Sequence, residues 1–181
     1  MQPFHSHALA LATALFALSG CATSRITTPV DVPTQLRAPA DQSAFVEALA
    51  TGVQIYECAP KPGESSAFAW TFRAPEATLS DRSGRALGKH YAGPTWESLD
   101  GSKAVGQLKA SDPGPDPAAI PWLLMTARSS SSAGIFAQAV SVQRLKTVGG
   151  IAPTERCDAA NARQVARVPY TATYYFYRVG P

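Results

Sequence analysis

Between Gly88 and Glu97 the chain reads GKHYAGPTWE, which gathers an imidazole, a phenol, an indole and a carboxylate into ten residues. Gly93-Pro94 is a turn signal, so His90, Tyr91, Trp96 and Glu97 are expected near one end of a sheet, with Asp100 close by. A base of tunable pKa, a carboxylate and an aromatic platform suit general acid–base catalysis, or the binding of a sugar or other flat ligand. The plainer reading, to which we give more weight, packs Trp96 in the core and hydrogen-bonds His90 to a backbone group. Asp100 precedes Gly101 and reads as a hairpin residue before it reads as a catalyst.

Other chemistries find little equipment. Of the three histidines, His5 and His7 stand at the extreme N-terminus, so His90 alone serves the rest of the chain. No set of residues has metal-ligand spacing, and no metal or cofactor is expected. There is no GxSxG elbow for a serine nucleophile and no GxGxxG for a dinucleotide. Asp112 to Pro117 alternates carboxylates with prolines, which makes a rigid turn rather than a calcium cage. The formal charge is +3 and the basic residues are scattered singly, so no nucleic-acid surface is expected. Tyr175 and Tyr177 would form either an exposed aromatic surface or part of a packed layer under a loop; we favour packing.

The N-terminus indicates where the chain works. Residues 8–18, ALALATALFAL, form an uncharged apolar run of 11 residues, too short for a bilayer span of about 20. Leu18-Ser19-Gly20-Cys21 follows and resembles the lipobox of bacterial lipoproteins, in which the cysteine is acylated and becomes the new N-terminus. Met1–His7 lacks the Lys or Arg usual in an export signal. The expected organisation is a signal peptide at 1–20, a Pro/Ala/Thr-rich tether at 21–42 and one β domain at 43–181. Such a protein would be exported and held by lipid on Cys21, at the outer membrane or on a periplasmic face. Ala22 stands where aspartate signals inner-membrane retention. In that oxidising setting Cys58 and Cys157 most simply form a disulfide.

The elements that must position these residues read as strands. Val53–Cys58 is rich in β formers, and Phe68, Trp70 and Phe72 share one face of a second run, expected in the core. Ala77–Leu79 and Arg85–Tyr91 flank a turn at Gly84, and Thr95–Leu99 and Lys103–Leu108 flank Asp100-Gly101. Ile120–Thr126 is apolar throughout, implying cover on both faces. Val140–Thr147 is a further strand, and Val168–Val179 alternates clearly, with Tyr170, Tyr174 and Phe176 on one face. AFVEALA, at 44–50, fits helix and strand almost equally. The expected fold is all-β: a single-domain antiparallel sandwich or barrel of meander hairpins, with few or no helices.

GVQIYEC at 52–58, APEATL at 74–79, GKHYAGPTWES at 88–98 and DGSKAVG at 100–106 resemble an uncharacterised bacterial and fungal family, DUF 3455. IPWLLMTA at 120–127, VQRLKTVGGIAP at 142–153 and VPYTATYYFYR at 168–178 extend the likeness over residues 33–179. The resemblance favours a strand for AFVEALA and implies cysteines at Cys58 and Cys157. It carries no established activity. Fungal relatives are sometimes labelled malate dehydrogenases, a label this chain does not support. The expected function is therefore a lipid-anchored binding or envelope-associated module, taking a small molecule or carbohydrate at His90, Tyr91, Trp96 and Glu97. The alternative is a small hydrolase or lyase using His90 with Glu97.

Overall fold

Runs in which every second residue is apolar can bury those side chains together only by extending, and such runs fill most of this chain. The computed structural model describes residues 26–180. Its strands are β1 (Gln42–Lys61), β2 (Glu64–Ser80), β3 (Ala86–Tyr91), β4 (Thr95–Ser98), β5 (Lys103–Asp112), β6 (Trp122–Ser129), β7 (Ser141–Gly149) and β8 (Val165–Val179). Each pairs antiparallel with the next, and β8 pairs with β1 from Gln42↔Val179 to Glu57↔Val165. That last ladder decides between sandwich and barrel: the sheet closes on itself. AFVEALA lies within β1, its inward Val46, Ala48 and Ala50 opposite Phe176, Tyr174 and Ala172.

One end of the barrel is plugged. Phe136, from the β6–β7 loop, is fully buried and packs on Phe176 with ring centroids 4.4 Å apart. The Asp100-Gly101 hairpin holds this loop. Asp100 Oδ2 accepts from the Ile135 amide at 2.7 Å, and Ser102 Oγ accepts from the Phe136 amide at 3.1 Å. A Cβ on Gly134 would come within 2.6 Å of Ser102 Cβ, so only glycine lets the loop approach so closely.

From Ile26 onward the segment expected as a tether is packed onto the barrel. Val32 and the fully buried Leu36 cover Leu124, Leu145, Tyr175 and Tyr177 on the outer face. Gln143 Nε2 donates to the Leu36 carbonyl at 2.6 Å, and Tyr177 donates to Gln143 Oε1 at 2.9 Å. Proline-rich backbone cannot build a regular core of its own, yet it can lie extended along one that a sheet presents. This layer buries Tyr175 and Tyr177, and it gives β6 two covered faces, with Leu124 outside and Met125 inside.

The Phe68, Trp70 and Phe72 face also differs from expectation. These side chains lie outside the core: Phe72 is 49% exposed and the other two are half-buried. The reason is pairing, because β2 meets β3 only from Ala77 onward and the upper β1–β2 ribbon lacks that neighbour. Trp70 Nε1 donates there to the Glu155 carbonyl at 2.9 Å. Nearby the Cys58–Cys157 disulfide ties β1 to the β7–β8 loop. The expected signal peptide and Cys21 lie outside the described residues.

Candidate functional site

Opposite the plug the barrel opens into a cavity of about 550 Å³. Every strand contributes to its wall, from Gln54 and Tyr56 on β1 to Tyr174 on β8. His90 on β3 and Trp96 on β4 are direct cross-strand partners and both point inward. Gly106 on β5 makes room for the indole, since a Cβ there would stand 2.9 Å from Trp96 Cζ3.

His90 is buried with its Nδ1 2.9 Å from the Thr95 carbonyl. A carbonyl only accepts, so Nδ1 carries the proton and donates. Burial pulls the imidazole down to about 4; the bond to Thr95 opposes this, and the charge of Arg144 reinforces it. At neutral pH the ring is therefore uncharged.

The polar groups around it are short of partners. Gln54 Nε2, Trp96 Nε1 and the hydroxyls of Tyr170 and Tyr174 are buried without a hydrogen-bond partner among the described residues. Gln54, Trp96 and Tyr174 line the cavity. Each unpaired buried group costs about 1–3 kcal/mol, so such a cluster has much to gain from a bound molecule. Burial also pushes the Tyr170 and Tyr174 phenols up, keeping both protonated. Arg144, on β7, lies opposite Tyr174 and donates through Nε and Nη2 to the Pro121 carbonyl at 3.1 and 2.8 Å. Among the described residues, no Asp or Glu lines the cavity.

Tyr91 and Glu97 are elsewhere. The period of two that turns His90 and Trp96 inward turns these two onto the outer face. Tyr91 donates to Glu97 Oε2 at 2.7 Å, with Lys103 Nζ at 3.4 Å and Lys89 Nζ at 3.6 Å from the same oxygen. Tyr91 first, then Lys103, holds the Glu97 carboxyl below its usual range. The four residues thus form an inner pair and an outer pair, and His90 has no carboxylate partner in Glu97. Asp100 is a turn residue, its carboxyl drawn down to about 2 chiefly by Ser102.

Sequence reasoning missed Gln54 and Arg144 and placed Tyr170 and Tyr174 on one face of a strand without giving them a role in the site. One signal was available for Arg144: it shares a face of its strand with Val142, which is buried in the core. Among the described residues, no group of three or more His, Cys, Asp or Glu could hold a metal. In comparison with known proteins, the model of a family described as "Protein of unknown function (DUF3455)" matches residues 39–178. No curated protein and no solved structure matches.

Proposed function

Because the chain belongs to the DUF3455 family, whose function is unknown, we propose a role that rests on its barrel alone: a binding module for a small, largely apolar molecule. The observation that carries this is the cavity itself, about 550 Å³ of mainly apolar wall with unpaired polar groups from Gln54, Trp96 and Tyr174. Ligand sites typically combine such walls with a few convergent polar groups in roughly 300–1,000 Å³. Eight-stranded barrels are wide enough to hold one small ligand. A hydrolytic reading needs a carboxylate at His90, and Glu97 faces the other way.

In this reading the module works outside the cytoplasm, held to a membrane by acyl chains on Cys21. The short apolar run, the lipobox-like Leu18–Cys21 and the disulfide support that setting. Ile26 packs against the outer-face cluster of Val32 and Leu36 and lines, with Phe45, Leu87 and Ile135, a recess beside the plugged end. Four residues lie between Ile26 and Cys21, so the two are at most about 18 Å apart. The plugged end would then face the lipid and the mouth would face away from it.

The test is a titration of the exported, unacylated Cys21→Ser protein with the neutral fluorophore N-phenyl-1-naphthylamine. Saturable binding is expected, weakened ~10-fold or more by Leu123→Trp, which fills the cavity, with the far-ultraviolet dichroism unchanged. Absence of saturable binding overturns the proposal.

A further inference from the structure

We propose that the ligand of this cavity carries an anionic head group, a carboxylate in the simplest case, held by Arg144 beside Tyr174. The inference rests on the binding reading and names the class of molecule bound.

Arg144 stands at an inward position, paired across the sheet with Leu123 on one side and Tyr174 on the other. It is half-buried, and the charge it carries is felt by Tyr56, His90, Tyr170 and Tyr174. Arg73, Arg82, Arg85, Arg156 and Arg167 each have a carboxylate within ion-pair distance. Arg144 has none among the described residues; two of its nitrogens converge on one neutral carbonyl, and Nη1 is left for something else. A partly desolvated guanidinium without a counterion is costly, and its planar fork matches a carboxylate.

The groups around it favour the same sign. Trp96 Nε1 and Gln54 Nε2 can only donate, and the Tyr174 hydroxyl can donate as well. None of the three makes a well-formed hydrogen bond, although Tyr170 lies close to Gln54 and Tyr174, and Arg144 close to Tyr174; no carboxylate among the described residues of the wall competes for them. A cationic ligand would be repelled, and a purely apolar one would leave every donor unpaired. An anion satisfies donors and charge together. Arg73 also lines the cavity but is paired with Glu57. Leu123 beside Arg144, and Phe72 and Leu108 farther round, add apolar wall, and Leu108 is 61% exposed. A molecule with its head at Arg144 would lay an apolar body along these residues, as a medium-chain alkyl carboxylate does.

The experiment displaces N-phenyl-1-naphthylamine from the Cys21→Ser protein with decanoate, 1-decanol and decylamine, three probes differing only in the head. Decanoate should displace the fluorophore at ~10-fold lower concentration than decanol, with decylamine the weakest. Arg144→Gln should bring decanoate to within ~3-fold of decanol, and a decanoate preference that persists undiminished in that variant overturns the assignment to Arg144. Equal displacement by decanoate and decanol in the unsubstituted protein overturns the anionic head without recourse to any variant, and the binding reading survives. Failure of the fluorophore itself to saturate overturns the binding reading instead.

Discussion

The imidazole of His90 lies flat on the indole of Trp96, with ring centroids 4.6 Å apart and planes only 6° from parallel. Tyr174 meets both rings edgewise, at 5.1 Å from His90 and 5.3 Å from Trp96. Three rings from three strands thus support one another in the wall of the cavity. The arrangement suits a neutral imidazole. A protonated ring would be enclosed near the positive Arg144, with no carboxylate among the described residues of the cavity wall to balance it.

His90 should therefore make stability depend on pH. Its folded pKa, about 4, lies below the ordinary 6.5, so between those values the unfolded chain binds more protons than the native one. Stability rises with pH across that window and is lost as pH falls from 6.5 to 4, by up to roughly 3 kcal/mol. Urea denaturation at several pH values should show this slope. His90→Gln, which does not titrate, should flatten it at some fixed loss of packing. A slope unchanged by that substitution would show that other groups cause it.

Leu36 tests whether the proline-rich segment is part of the fold. Leu36→Ala should cost about 2–4 kcal/mol, because it opens a space over Leu124, Leu145 and Tyr175. A tether residue would cost no more than about 0.5 kcal/mol. Urea denaturation separates the two outcomes.

Much of this architecture was legible in the residues, and the places where it was not have physical causes. The alternation from Val168 to Val179 told which tyrosines share a face, though not which face is inward, and Asp100-Gly101 announced its hairpin through a positive φ, observed at 83° on Gly101. The site was harder because cross-strand register depends on turn length. The pairs are Tyr91↔Thr95, His90↔Trp96 and Lys89↔Glu97. A turn shifted by one residue would set His90 opposite a different neighbour, and nothing in Ala92-Gly93-Pro94 dictates that choice. Arg144 and Gln54 join the cavity only because the barrel closes, a contact between distant segments that local pattern does not encode. The burial of Leu36 has the same origin.

The Cys58–Cys157 disulfide should be worth up to about 4.7 kcal/mol in the chain-entropy account, given the 99 residues it spans. Replacing both cysteines by Ala removes the bridge without leaving a lone thiol. The expected result is a loss of about 3–5 kcal/mol with the cavity still able to bind the fluorophore. Both quantities are measurable on the same sample. A loss under about 1 kcal/mol would mean that the β7–β8 loop is held chiefly by other contacts, such as Trp70 to Glu155.

Asp100 should control the plug. Its carboxylate accepts from the Ser102 amide and hydroxyl and from the Ile135 amide, which draws its pKa down to about 2. The folded pKa is below that of the unfolded chain, near about 4. The interaction is thus fully present above about pH 4 and fades as pH falls toward 2. Asp100→Ala should reproduce the acid condition at neutral pH by leaving the Ile135 amide without its acceptor. Ser102→Ala should act on the same loop by removing the acceptor of the Phe136 amide and the strongest support of the Asp100 carboxylate. In both variants the amides of 134–137 should exchange faster, and limited proteolysis should cut between residues 130 and 139 while the rest of the barrel stays protected. Cleavage elsewhere, or none, would mean that Phe136 is held by its packing on Phe176 and not by this turn.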